Sequence, residues 1–172
     1  MSRNSPVGVV VMGVSGCGKS HIGRALAEVE GWPFLEGDDL HPPGNIARMR
    51  AGQPLTDADR APWLAAVRDR IAGHLQQGRS VVAACSALKR DYRDLLRQAG
   101  AIRFVYLSVP AAELARRMRE RQHFMPPALL ESQLATLEVP AADEAALVLT
   151  PGAPADLVDH VRRWLATETP SD

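Results

Sequence analysis

Eight residues, Gly13-Val14-Ser15-Gly16-Cys17-Gly18-Lys19-Ser20, constrain this chain more than any other stretch. They follow Val7-Gly8-Val9-Val10-Val11-Met12, a β-branched run that reads as a strand buried on both faces. They lead into Ser20 to Glu30, where Ile22, Ala25, Leu26 and Val29 recur at helical spacing. Strand, glycine-rich turn and helix, in that order, are the context in which Gly-x-x-x-x-Gly-Lys-Ser is a phosphate-binding loop. Glycines let the backbone wrap an anion with its amide hydrogens inward, and the helix adds its positive N-terminal end. On this reading Gly13, Ser15, Gly16, Cys17, Gly18, Lys19, Ser20 and His21 form a nucleotide site. Lys19 reaches the β- and γ-phosphates of ATP, and the Ser20 hydroxyl holds Mg²⁺. Cys17 fills a variable position of the loop and needs no role of its own.

The rest of the chain repeats the alternation. Strands are predicted at Trp32 to Leu35, Ser80 to Ala84, Ile102 to Leu107 and Ala146 to Leu149. Helices are predicted at Asn45 to Arg50, from a Thr56-Asp57-Ala58-Asp59 cap to Gln77, at Leu88 to Gln98, at Ala111 to Arg121, up to Leu137, and at Ala155 to Ala166. Five strands alternating with helices predict an α/β fold of three layers, α/β/α, around a parallel sheet. No repeat, linker or composition shift divides the chain, so one domain over residues 1–172 is expected.

Charge excludes several classes. The formal net charge is zero and the pI about 7.0, which offers no basic surface for nucleic acid or a membrane. Two cysteines are not a disulfide framework, Met1 to Pro6 is too short and polar for a signal peptide, and no apolar run spans a bilayer. A cytoplasmic location is expected. Lysine occurs only at 19 and 89, so no Asn-Lys-x-Asp stretch for guanine exists, which weighs against a GTPase switch.

Ligands in open α/β sheets bind beyond the carboxyl ends of the strands. Asp38 lies at such an end, where a carboxylate accepts the proton of an attacking hydroxyl. Arg48 and Arg60 are candidates to grip an anionic acceptor bidentately. Asp57 and Asp59 read as helix-cap acids. Lys89 opens a helix, an unfavourable place for a cation, and so is expected to contact substrate or phosphate. Cys85 reads as a small apolar residue ending a strand. Arginines 116, 117, 119 and 121 precede a break at His123-Phe124-Met125-Pro126-Pro127. Chemistry alone leaves two readings of them, a lid that closes over phosphates and a basic, solvent-exposed helix.

Together, "GVSGCGKS", "FLEGDDLHPPGNIARM", "LTDADRAPWL", "CSALKRDYRDLLR", "FVYL", "HFMPPALLESQLATLE" and Asp143-Glu144 resemble the gluconokinase family, small kinases akin to adenylate and shikimate kinases. The resemblance runs from Val9 to Val161. It implies a P-loop kinase fold with a five-stranded parallel sheet, a lid at about 119–137, and a homodimer. It implies ATP-dependent phosphorylation of D-gluconate to 6-phosphogluconate, feeding the pentose phosphate or Entner-Doudoroff route. Asp38 becomes the base; His41, Arg48, Arg60, Lys89 and Gln133 line the acceptor pocket; Arg119 or Arg121 contacts ATP. The chain departs from the family pattern in having His21 for threonine, Gln122 for glycine, and no acid at Leu149-Thr150-Pro151. Two rivals remain at this level, a kinase for shikimate or a nucleoside monophosphate, and a nucleotide-binding regulator without transfer activity.

Overall fold

The structure, a computed structural model, describes residues 5–120 and 127–167. Arg121, Gln122 and the His123-to-Pro126 stretch, part of the expected lid, fall outside the described residues. In chain order the elements are β1 (Gly8–Met12), α1 (Lys19–Glu30), β2 (Phe34–Glu36), α2 (Pro43–Arg50), α3 (Asp57–Gln76), β3 (Val81–Ala84), α4 (Arg90–Arg97), β4 (Ile102–Leu107), α5 (Ala111–Glu120), α6 (Pro127–Thr136), β5 (Leu147–Leu149) and α7 (Pro154–Thr167). Every expected strand and helix forms. The five strands make one parallel sheet in the order β2-β3-β1-β4-β5.

The β-branched run explains the centre. Val9, Val10, Val11 and Met12 of β1 are fully buried between β3 and β4, with helices on both faces. α1 sends Ile22, Leu26 and Ala27 into that core, while α3 adds Trp63, Leu64, Val67 and Ile71. At 25 cal/mol per Å², each Val, Leu, Ile or Met among them contributes about 1.5–3 kcal/mol of burial. A small second cluster, Met49, Leu55 and Leu129 with Met118 against it, ties α6 to α2.

Helix starts follow local chemistry. The Thr56 hydroxyl accepts from Asp59 N at 3.1 Å, and the Asp59 carboxylate accepts from Thr56 N at 2.9 Å, the reciprocal cap that the sequence spells. α4 starts two residues later than its periodicity predicts. Ala87 takes φ +46° and Lys89 an extended conformation, so helical geometry begins at Arg90. The turn is held from behind: Arg93 donates to Ala87 O at 2.9 Å, and Glu138 N donates to Leu88 O at 2.7 Å. Arg93 is itself fully buried against Glu144, with N–O distances of 2.6 and 3.0 Å. The guanidinium holds the Glu144 carboxyl down to about 2. Losing one partner of such a pair strands a buried charge, at a cost of about 3–5 kcal/mol.

Candidate active site

Three connections leave the carboxyl ends of β1, β2 and β3 and meet at one edge of the sheet. The first is the phosphate loop. Its glycines 13, 16 and 18 all take positive φ, at +148°, +83° and +94°. At Gly13 a Cβ would also lie 2.7 Å from Cys17 Sγ and 3.2 Å from Leu107 O, so only glycine closes this turn. Gly18 caps α1, whose first turn holds no acid, leaving the positive helix end available to an anion. The loop is pinned from outside at three points. Gly13 N donates to Ser86 O at 3.3 Å, Arg117 donates to Gly16 O at 3.1 Å, and Ser15 N donates to Gln133 Oε1 at 2.7 Å.

Two clefts share this loop as a wall. The narrower one gathers Ser15, Lys19, Asp38, His41, Arg60 and Gln133 over an apolar floor that includes Met49 and Leu129. The other is wider, about 370 Å³, and is lined by Cys17, Gly18, His21, Arg116, Arg117 and the Thr150-Pro151 segment. The wider one borders the start of α1, and the narrower one carries the polar side chains that suit a small polar acceptor.

The second connection, a 3-10 turn over Gly37–Leu40, places Asp38. A Cβ on Gly37 would collide with the Ala84 carbonyl, so the turn sits directly on the end of β3. Trp63 Nε1 donates to Gly37 O at 2.7 Å and stacks on His41, ring centroids 4.0 Å apart at 15°. Burial pushes the His41 imidazole down to about 4; Asp38 opposes this and Arg60 adds to it. His41 is therefore neutral at pH 7. A histidine whose pKa is lower folded than unfolded contributes stability above about pH 6.5, and that contribution is lost as pH falls from 6.5 to 4. We expect the loss to reach about 3 kcal/mol. Urea unfolding at pH 7 and pH 4.5 should show a smaller drop for His41→Gln than for the wild type; equal drops would remove His41 from the acid transition.

Arg60 is held at one end of a relay. Its guanidinium donates to Tyr92 Oη at 2.9 Å, Tyr92 donates to the Asp57 carboxylate, and Lys89 donates to Asp57 at 3.0 Å. Asp57 was expected to be only a cap acid, but it also anchors this chain, and Tyr92 with Lys89 holds its carboxyl below the usual range. Lys89 takes part in the same contacts. It lies outside both clefts, and Asp57 offsets its cost at a helix start. Arg48 is exposed, 3.8 Å from Asp59, and also lies outside both clefts. Arg119 is exposed and lines neither cleft, while Arg121 is not among the described residues. The cations on the wider cleft are Arg116 and Arg117, bonded to Glu113. Cys85 is fully buried, and burial pushes its thiol up to about 12, so it stays protonated as an apolar strand residue would.

Sequence reasoning missed Trp63, Asn45, Tyr92 and Arg117. Only Arg117 carried a signal, the run of arginines, whose register the sequence left ambiguous. Among the described residues no three His, Cys, Asp or Glu side chains stand together as a metal site. The Ser20 hydroxyl beside the loop is a hard oxygen donor and suits Mg²⁺ bound mostly through phosphate.

The AAA domain family matches the chain over residues 9–140, which include every polar residue of the narrower cleft. Gluconokinase of Gluconobacter oxydans (strain 621H) is 54% identical over 138 residues, 79% of this chain and 78% of its own length. The chain belongs to the gluconokinase family. A gluconokinase structure from Sinorhizobium meliloti 1021 is 46% identical with a TM-score of 0.84, over 96% of this chain and 95% of that one. A sugar kinase structure from Janibacter sp. HTCC2649 is 44% identical with a TM-score of 0.89, covering 95% and 96%. The "GDDLHPPGNIARM" and "LTDADRAPWL" stretches that carry the gluconokinase resemblance build one wall of the narrower cleft through Asp38, His41, Arg60 and Trp63.

Proposed function

We propose that this member of the gluconokinase family transfers the γ-phosphoryl group of ATP to the 6-hydroxyl of D-gluconate, giving 6-phosphogluconate and ADP. One observation carries the reading: the phosphate loop is the common wall of two clefts, with Lys19 facing the narrower one beside Asp38, His41 and Arg60. A nucleotide along the wider cleft and an acceptor in the narrower one would meet at Lys19. Asp38 takes the proton from the 6-hydroxyl as its oxygen bonds to phosphorus. The bond from phosphorus to the β-phosphate oxygen breaks, and Lys19 stabilises the charge that gathers there. Arg60, pre-aimed by Tyr92, suits the gluconate carboxylate. Mg²⁺ held by Ser20 and the phosphates would neutralise charge during transfer.

The same reading covers what the family resemblance implies for the whole chain: a single kinase domain over residues 1–172, working as a cytoplasmic homodimer. No helix among the described residues is long and apolar enough to cross a membrane.

An ADP-release assay with Mg·ATP against D-gluconate, shikimate, AMP and CMP tests the function. Fast turnover on D-gluconate alone is expected. Turnover on another acceptor in its place would mean that the narrower cleft has been misassigned, and ATP binding with no turnover on any of the four would favour the regulator.

A further inference from the structure

Asn45 is 6% exposed and sits in α2. Both hydrogens of its amide nitrogen are used inside the protein. Nδ2 lies 2.8 Å from the Asp59 carbonyl, which fixes the amide's orientation, since the flipped amide would set oxygen against oxygen. The second hydrogen of Nδ2 faces His41 Nδ1 at 3.3 Å. An amide nitrogen offers no lone pair, so Nδ1 must accept and carries no hydrogen of its own. The ring proton of a neutral His41 is then on Nε2. Trp63, stacked on the ring, keeps it from turning over.

We propose that Asn45 is a positioning residue that locks His41 in its Nε2–H tautomer, so that His41 presents one neutral hydrogen-bond donor to a hydroxyl oxygen of a polyol acceptor. The inference rests on the acceptor reading above and refines it. Two recognition chemistries are separated in one cleft. Arg60 offers a permanent cation and a fork of donors for a carboxylate. His41 offers a single uncharged donor, matched to a hydroxyl. The lock also settles which group takes the proton. With Nδ1 engaged and Nε2 protonated, His41 has no free lone pair, and the acceptor's proton goes to Asp38. The charged groups around the ring are Asp38 from the 3-10 turn, Arg60 from α3, and Lys19 across the same cleft.

The test reads the tautomer directly. In the ¹⁵N-histidine-labelled wild type at pH 7, His41 Nδ1 should resonate as an unprotonated nitrogen and Nε2 as a protonated one. D-gluconate should shift the Nε2–H resonance. Asn45→Asp replaces the donor by an acceptor, should move the ring proton to Nδ1, and should raise the D-gluconate KM about tenfold, the size of one lost buried hydrogen bond, with the ATP KM unchanged. Asn45→Gln, which keeps an amide donor, should recover part of that loss. A protonated Nδ1 in the wild type, or a folded Asn45→Asp with an unchanged D-gluconate KM, overturns the proposal while the function stands. The expected tautomer without any turnover of D-gluconate overturns the function and, with it, the polyol part of the proposal. If the variants do not fold, the wild-type spectrum and its response to D-gluconate decide the matter.

Discussion

Lys19→Ala should lower kcat by about 10³-fold or more, as expected when the charge that stabilises a transferring phosphoryl group is removed. The size follows from the engagement of the cations around the loop among the described residues. The other lysine, Lys89, is paired with Asp57 outside both clefts. Arg117 is tied to Gly16 O and Glu113, Arg116 to Glu113 and Glu120, and Arg60 to Tyr92. None of these is free to move into the place of an ammonium on a flexible stem. Single-turnover kinetics, with nucleotide affinity measured separately, would check the prediction. Turnover within tenfold of the wild type in a folded variant would refute the phosphate role of Lys19.

Asp38→Asn should lower kcat by about 10²–10⁴-fold with ATP binding largely intact, the usual range for a lost general base. Two other groups near Asp38 are unavailable as proton acceptors. The Cys85 thiol stays protonated, and His41 Nδ1 already accepts from Asn45. The turn that carries Asp38 has little freedom, because Gly37 leaves no room for a Cβ and its carbonyl is held by Trp63. Asparagine keeps the shape and removes the basicity. A variant in which only the D-gluconate KM changes would make Asp38 a group that holds the substrate and not the base.

Much of this was legible in the chain because the relevant signals are local. The phosphate loop needs its glycines, lysine and serine within eight residues, and positive φ at Gly13, Gly16 and Gly18 is what those glycines announce. The Thr56–Asp59 cap spans three residues, and β1 is one unbroken apolar run. Asp38, His41, Arg60 and Gln133, named from the sequence and its resemblance to the gluconokinase family, do line one cleft.

Two of the expected acceptor cations, Arg48 and Lys89, line neither cleft, and for a common reason. Arg48 and Lys89 were assigned by the charge and place of single residues, but which way a long cation points depends on carboxylates elsewhere in the chain. Lys89 turned to Asp57, 32 residues away, and Arg48 toward Asp59. Within the arginine run, Arg117 is the member that reaches the loop, at Gly16 O, 101 residues away in sequence, a contact no local pattern announces.

The sequence by itself determined the strand–loop–helix that binds phosphate, the five alternating units, and the residue types at the acceptor end. Each is set by backbone conformation or periodicity within a few residues. The tertiary structure alone decided the strand order β2-β3-β1-β4-β5, the Ser15–Gln133 bond across 118 residues, the Trp63–His41 stack with its Asn45 contact, and which arginine meets the loop. Those depend on packing distant segments against one sheet. Polar groups buried together must then find partners wherever the fold brings them.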